Sequence, residues 1–136
     1  MITKYQEDQR KKQIDLISQN ADVFYGGESG GLFMGQERHF VLKDNSKNLY
    51  QPICDEVMAY FAKNNISWWG GKKPTGHVLS SQISCVNHLF AIRNDKEAVL
   101  ALLGSISNDF EDVLSIYTDK YSPAFIQFES VSDYDN

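Results

Sequence analysis

Cys85 and His88 stand three residues apart in a run that is apolar at helical spacing, so a thiol and an imidazole share one helical turn, and a second imidazole, His77, lies eight residues before the cysteine. Two chemistries use such groups. Zinc accepts both ligand types, but a structural site takes four, and the other residues of that kind, Cys54 and His39, form no second short-spaced pair. A thiolate nucleophile beside an imidazole needs an exposed, electropositive cysteine. Cys85 lies among Ile83, Val86 and Leu89, and the expectation is a buried, reduced, structural thiol. His77 falls in a Gly- and Pro-containing loop, where an imidazole acts as a loop hydrogen bonder or, because it titrates near neutral pH, as a general acid or base. No metal ligand set is assigned.

The loop around His77 is the most unusual stretch of the chain. From Trp68 it reads WWGGKKPTGHVLSSQ, placing two tryptophans, two glycines and two lysines in direct succession. Lys72-Lys73 and Arg10-Lys11-Lys12 are the candidate anion-binding patches, although a solvated face carries the same kind of run. The net charge of -5 gives no long-range attraction to phosphate backbones, so nucleic-acid binding would rest on such a local patch. Residues 1–102 hold 12 Lys and Arg against 11 Asp and Glu, whereas residues 103–136 hold one Lys against seven acids. A second glycine-rich stretch, FYGGESGGLFMG, carries five of the nine glycines. It is not followed by the GK[ST] of a phosphate-binding loop, and Glu28 would repel a phosphate, so a flexible loop or hairpin is expected there.

Elements must position these groups. With 136 residues, 42% hydrophobic and 12% aromatic, the chain suits one globular domain that buries roughly 70% of its unfolded surface. The expected organisation is a polar helix over 1–22, a glycine-rich loop with short strands over 23–48, and a helical core over 49–136 ending in a strand. The first helix carries a thin stripe of Ile14, Leu16 and Ile17, and a short strand pattern spans His39 to Leu42. A core helix follows Pro52 through Ile53, Val57, Tyr60 and Phe61, stops near Asn64-Asn65, and takes Asp55 and Glu56 as dipole-complementing charges. Trp68 and Trp69 can anchor the loop, and Pro74 holds Lys73 extended. Ser80 or Ser81 caps the next helix, whose buried stripe is Ile83, Val86, Leu89 and Phe90. Ser84, Asn87 and His88 fall on another side, as a solvated face or the wall of a site.

Downstream, Asn94 to Glu97 opens a helix with face Ala98, Val99, Leu102, Leu103 and Ile106. Asn108 with Glu111 repeats the capping pattern ahead of a further helix through Phe110, Val113, Leu114 and Tyr117, and Ala124 to Val131 alternates as a terminal strand. That strand needs a partner, either near His39 and Ile66 or on other sequence.

The run PTGHVLSSQISCVNHLFAIRNDKEAVLALL, with NISWWGG before it and AFIQFE after it, resembles the N-terminal half of a bacterial restriction-endonuclease-like family similar to the PD-(D/E)XK nuclease superfamily. The resemblance runs from about Phe33 to Glu129 and is most specific over Pro74 to Phe90. It implies an α+β chain, the predominantly helical N-terminal portion of an αβββαβ core with few strands. It also implies Mg²⁺-dependent cleavage of DNA in the intact relative. In that scheme the helix from Ser80 precedes the sheet, the strand at Phe125 to Glu129 is its first, and Glu129 is an early acid of the site.

The superfamily's metal site also needs an Asp and an acid-x-Lys on successive strands. No E-x-K occurs in the chain, and Gln9-Arg10-Lys11 lies in the polar first helix. The expectation is therefore a nuclease fragment inactive alone, holding no cofactor itself. The alternative is a non-catalytic binding module using the Trp68-Trp69 and Lys72-Lys73 loop. On the catalytic side the candidates are His77, Gln82 and Glu129; on the substrate side they are Lys72, Lys73, Ser81 and Asn87. Expected partners are DNA, a C-terminal half, or a second copy through the terminal strand. No apolar run reaches the roughly 18 residues of a spanning helix, and no signal peptide is legible, so a cytoplasmic location without membrane association is expected.

Overall fold

The computed structural model describes residues 2–69, 71–119 and 122–129. Its elements run α1 (Lys4–Gln19), β1 (Ser29–Phe33), β2 (Gln36–Leu42), α2 (Cys54–Lys63), α3 (Ser81–Leu89), α4 (Lys96–Gly104), β3 (Ile116–Asp119) and β4 (Ser122–Ala124), with short 3-10 turns between some of them. The architecture is α+β, with helices dominant and strands few, as the sequence indicates. The chain divides into two compact units, Met1–Asn87 and His88–Asn136.

In the first unit, α1 starts with a reciprocal cap. The Thr3 hydroxyl accepts from the Gln6 N–H at 3.2 Å, and the Gln6 carboxamide oxygen accepts from the Thr3 N–H at 3.0 Å. The helix lies against the hairpin β1–β2, burying Ile17 and laying the Arg10 guanidinium over the Phe40 ring, 4.6 Å from its centroid. The second half of the glycine-rich stretch, from Ser29 on, forms the first strand and the turn of this hairpin, and its first half is a turn ahead of β1. Phe33 pairs with Gln36 across a two-residue turn, and both turn residues, Met34 at φ 52° and Gly35 at φ 75°, are left-handed. A tight hairpin turn whose twist matches its strands demands that geometry. Strand β2 reaches from Gln36 to Leu42, longer than its apolar pattern suggests, and buries Phe40, Val41 and Leu42.

The 75–78 segment joins the free edge of β2. Leu42 N–H donates to the Gly76 carbonyl at 2.9 Å, and Val78 N–H donates to the Phe40 carbonyl at 3.3 Å. Glycine is required at position 76, because a Cβ there would stand 2.4 Å from the Leu42 carbonyl oxygen. Helix α2 follows Pro52 as expected, buries Val57 and Phe61, and ends at Asn64.

In the second unit, Asp95 rather than Asn94 caps α4, accepting from the Ala98 N–H at 3.0 Å. The helix buries Val99, whereas Leu102 and Ile106 of the expected apolar face are exposed.

Two expectations fail here. The helix anticipated over Asn108 to Tyr117 does not form; irregular chain leads into β3, which pairs with β4 in an antiparallel hairpin. Polar side chains explain the loss. Ser107 Oγ donates to Asp109 at 2.8 Å and accepts from its N–H at 3.2 Å, while the Asp112 carboxylate takes the Val113 N–H at 2.9 Å. Such local bonds offer the backbone an alternative to helix. Nor does a strand run from Ala124 to Glu129, since β4 ends at Ala124. The N–H groups of Phe125 and Ile126 both turn to the Arg93 carbonyl, at 2.7 and 3.4 Å, and Glu129 has a left-handed φ of 50°. The last two residues of that expected strand, 130–131, lie outside the described residues. The partner of the strand that does form is β3, not the segments near His39 or Ile66.

Candidate functional site

Helix α3 organises the site from one end. The Ser80 hydroxyl accepts from the Ile83 N–H at 3.4 Å, which makes Ser80 the cap and Ser81 the exposed first residue of the helix. Gln82, Ile83 and Val86 face inward. Cys85 is exposed, contrary to the expected buried thiol. It is set roughly 200° around the helix axis from Ile83 and about 100° from Val86, so it does not share the face that these two residues bury, and Leu89, one turn on along its own side, is only half-buried. Ser84 and His88 are exposed as well, while Asn87 is half-buried. The second cysteine, Cys54, is half-buried on α2, and burial first, then the charges of Asp55 and Asp44, push its thiol pKa up and disfavour a thiolate.

The two amides of α3 are braces. Gln82, 3% exposed, accepts from the Trp69 N–H at 3.0 Å and donates to the Ser67 carbonyl at 3.1 Å, clamping the double-tryptophan loop. Asn87 accepts from the Tyr50 N–H at 2.8 Å and donates to the Asn48 carbonyl at 2.9 Å. Asn48, itself buried, then donates through one amide nitrogen to the carbonyls of Thr75 and His77, at 2.9 and 3.1 Å. Side-chain bonds thus run from α3 through the 45–48 turn to the loop that carries His77. Asn48 was not legible as a site residue, because it sits in a polar turn with no motif around it.

The tryptophans take opposite parts. Trp68 is buried and stacks on Phe61, with centroids 3.9 Å apart and planes 13° from parallel. Trp69 is 67% exposed. Gly71, at φ 102°, returns the chain with its N–H on the Trp68 carbonyl at 2.8 Å, and Lys72 and Lys73 follow, both exposed.

His77 lies half-buried between two rings, 4.9 Å from Phe33 and 5.0 Å from Phe40 between centroids. Its Nδ1 accepts from the Leu79 N–H at 3.2 Å, which places the proton of the neutral ring on Nε2. Burial first, and the Arg10 charge second, hold its pKa below the ordinary imidazole value. A cavity of about 290 Å³ opens here, lined by Phe33, Trp69, Thr75, His77, Leu79 and Ser80. Lys73 borders a separate cavity of about 630 Å³ with Lys43, Asp44, Cys54 and Pro74. Lys43 there is paired with Glu28 at 3.0 Å.

The first unit thus assembles His77, Gln82, Ser81, Asn87 and the two lysines around one loop and one helix, whereas Glu129 belongs to the second unit, where it is exposed. The structure gives Gln82 and Asn87 backbone partners. Among the described residues, no three His, Cys, Asp or Glu side chains come together as a metal-ligand group, and no helix is long and apolar enough to cross a membrane.

No curated protein and no solved structure matches the chain. A family model described as restriction endonuclease associating with ARP matches residues 9–134, nearly the whole sequence, and the chain belongs to that family.

Proposed function

We propose that this chain supplies the DNA-facing part of a restriction-endonuclease-type nuclease and does not cleave DNA by itself. The observation that carries this reading is the family match over residues 9–134. The presented loop supports it: Trp69 stands exposed with its backbone N–H held by Gln82, and Lys72 and Lys73 follow it, also exposed, a combination suited to stacking a base and meeting phosphates. The divalent cation of PD-(D/E)XK nucleases finds no fitting site among the described residues, which bring no three acidic, His or Cys ligands together. The sequence also holds no E-x-K. No catalytic step is therefore routed through a metal held by this chain. The Asp and E-x-K that such cleavage requires would come from polypeptide outside these 136 residues.

The same exposed loop favours a second reading, a binding module with no nuclease centre at all. Two measurements separate the readings. The purified chain, incubated with Mg²⁺ and supercoiled plasmid, leaves the plasmid intact under the nuclease reading. Joining it to a segment carrying a strand-borne Asp and E-x-K from the same genomic locus restores Mg²⁺-dependent cutting. Cleavage by the chain alone overturns the proposal, and a locus without such a segment leaves the binding module.

A further inference from the structure

The cavity beside His77 has a composition that singles out its ligand. Three aromatic side chains from separate segments line it: Phe33 at the end of β1, Trp69 on the clamped loop, and His77 on the segment along β2. Leu79 adds an aliphatic wall, and two hydroxyls, Thr75 and Ser80, supply the polar points. At about 290 Å³ it lies at the lower edge of the roughly 300–1,000 Å³ of small-molecule sites, room for one ring system and not for an extended ligand.

We propose that this cavity receives a single unstacked nucleobase, with Trp69 as the stacking platform. The inference rests on the nucleic-acid reading above and names what that surface would hold.

Four features carry it. An exposed tryptophan costs solvation, yet here the backbone N–H of Trp69 is fixed by a buried glutamine, so the ring is held out on a rigid base. Aromatic faces stack on any base, and proteins that take a base out of its stack read its edge with a few hydrogen-bonding groups. Thr75 Oγ1 accepts from the His77 N–H at 3.2 Å and Ser80 Oγ from the Ile83 N–H, and each hydroxyl keeps an O–H for a base-edge acceptor. The neutral His77 ring adds an Nε2–H donor without a charge that would require a carboxylate. Lys72 and Lys73 do not line this cavity, but they follow Trp69 closely in the chain and are exposed, so the loop that presents the ring also offers positive charge to the phosphates of a bound strand.

The test uses the full chain and three probes: a short fluorescent single-stranded oligonucleotide, the same strand with every base replaced by an abasic spacer, and adenosine monophosphate. The expected result is that anisotropy shows the base-bearing strand binding about tenfold tighter than the abasic strand, the scale of a stacked base. Trp69→Leu removes that difference while leaving abasic binding unchanged, and adenosine monophosphate quenches Trp69 emission. Equal binding of both strands overturns the base pocket and leaves the nucleic-acid reading standing. Quenching by the monophosphate with neither strand bound keeps the pocket and overturns that reading. No response to any probe overturns the inference and assigns the cavity to a ligand of another class.

Discussion

The Asn87 carboxamide closes on the backbone of Asn48, donating to its carbonyl at 2.9 Å, while the Asn48 carboxamide reaches on to the carbonyls of Thr75 and His77. Two asparagines, 39 positions apart in sequence, thereby fix the loop that carries the imidazole. Replacing Asn87 by Ala leaves the Tyr50 N–H and the Asn48 carbonyl without their partner, at a cost of about 1–3 kcal/mol. Urea unfolding checks it as a lowered midpoint with an unchanged slope. Asn48→Ala is expected to cost at least as much, since it releases two carbonyls at a buried position.

The Gln82 clamp separates a positioning role from a chemical one. Gln82→Glu keeps an acceptor for the Trp69 N–H but sets an oxygen against the Ser67 carbonyl in place of the Nε2–H that Gln82 donates to it. The expected outcome is a loss of about 2 kcal/mol, mainly from placing a carboxylate at the buried Gln82 position, with the half-buried bond to the Ser67 carbonyl lost besides. Hydrogen exchange at the Trp69 amide should accelerate more than exchange along α1. Equal acceleration at both would mean that the glutamine supports the fold generally and not this loop.

How much of this was legible follows from which forces decide each element. The α1 helix, the α2 helix after Pro52 and the α3 cap at Ser80 answer to local rules of periodicity and capping, and the structure keeps all three. The stretch from Asn108 to Tyr117 obeys the same periodicity but loses to the Ser107–Asp109 and Asp112–Val113 bonds, a competition that residue spacing does not reveal. The glycine-rich hairpin could be read as loop or strand until its pairing was known. Within the site, the Trp68 to Ser80 block stood out by composition, and His77 with it. The split between a buried Trp68 and a presented Trp69 depends on Phe61 and Gln82, which lie distant in sequence. Cys85 was misread because the helix turns it away from Ile83 and Val86, the residues beside it in sequence that are buried.

His77 gives the chain a signed response to pH. Burial and the Arg10 charge favour the neutral ring in the folded state, so its pKa lies below the 6.5 of the ordinary imidazole that the unfolded chain approaches. The unfolded state therefore binds more protons in that window, and stability rises with pH through it. The contribution is complete above the unfolded value and is lost as pH falls from there through the folded pKa. The His77 ring-proton resonance in NMR should titrate with a midpoint below 6.5, and Arg10→Gln should move that midpoint upward. A midpoint at or above the ordinary value would contradict the buried geometry.

The close approach at Gly76 predicts a sharper effect than a helix glycine would. Gly76→Ala puts its methyl 2.4 Å from the Leu42 carbonyl oxygen and 2.7 Å from the Asn45 side-chain oxygen. The 75–78 segment must then move off β2, losing the bonds to Leu42 and Phe40. A cost of about 2–3 kcal/mol is expected, the range of overpacking with a backbone shift. The cavity beside His77 should open with it, so any ligand response of Trp69 weakens in parallel.

The paired tryptophans allow one comparison free of most systematic error, since the residues are adjacent and chemically identical. Trp68 is 5% exposed and stacked on a Phe61 that is 1% exposed, so Trp68→Ala removes a core aromatic and leaves a cavity, at about 3–5 kcal/mol. Trp69 is 67% exposed, and what holds its position is its backbone N–H, which alanine retains. Trp69→Ala should change stability by no more than about 0.5 kcal/mol, the range of ordinary surface substitutions. Denaturant midpoints of the two variants decide the matter. If Trp69→Ala were as damaging as Trp68→Ala, its ring would be part of the core and no platform would be left to present. A large loss at Trp68 beside a negligible one at Trp69 would leave the exposed ring without a structural duty, which is the condition for a surface that binds.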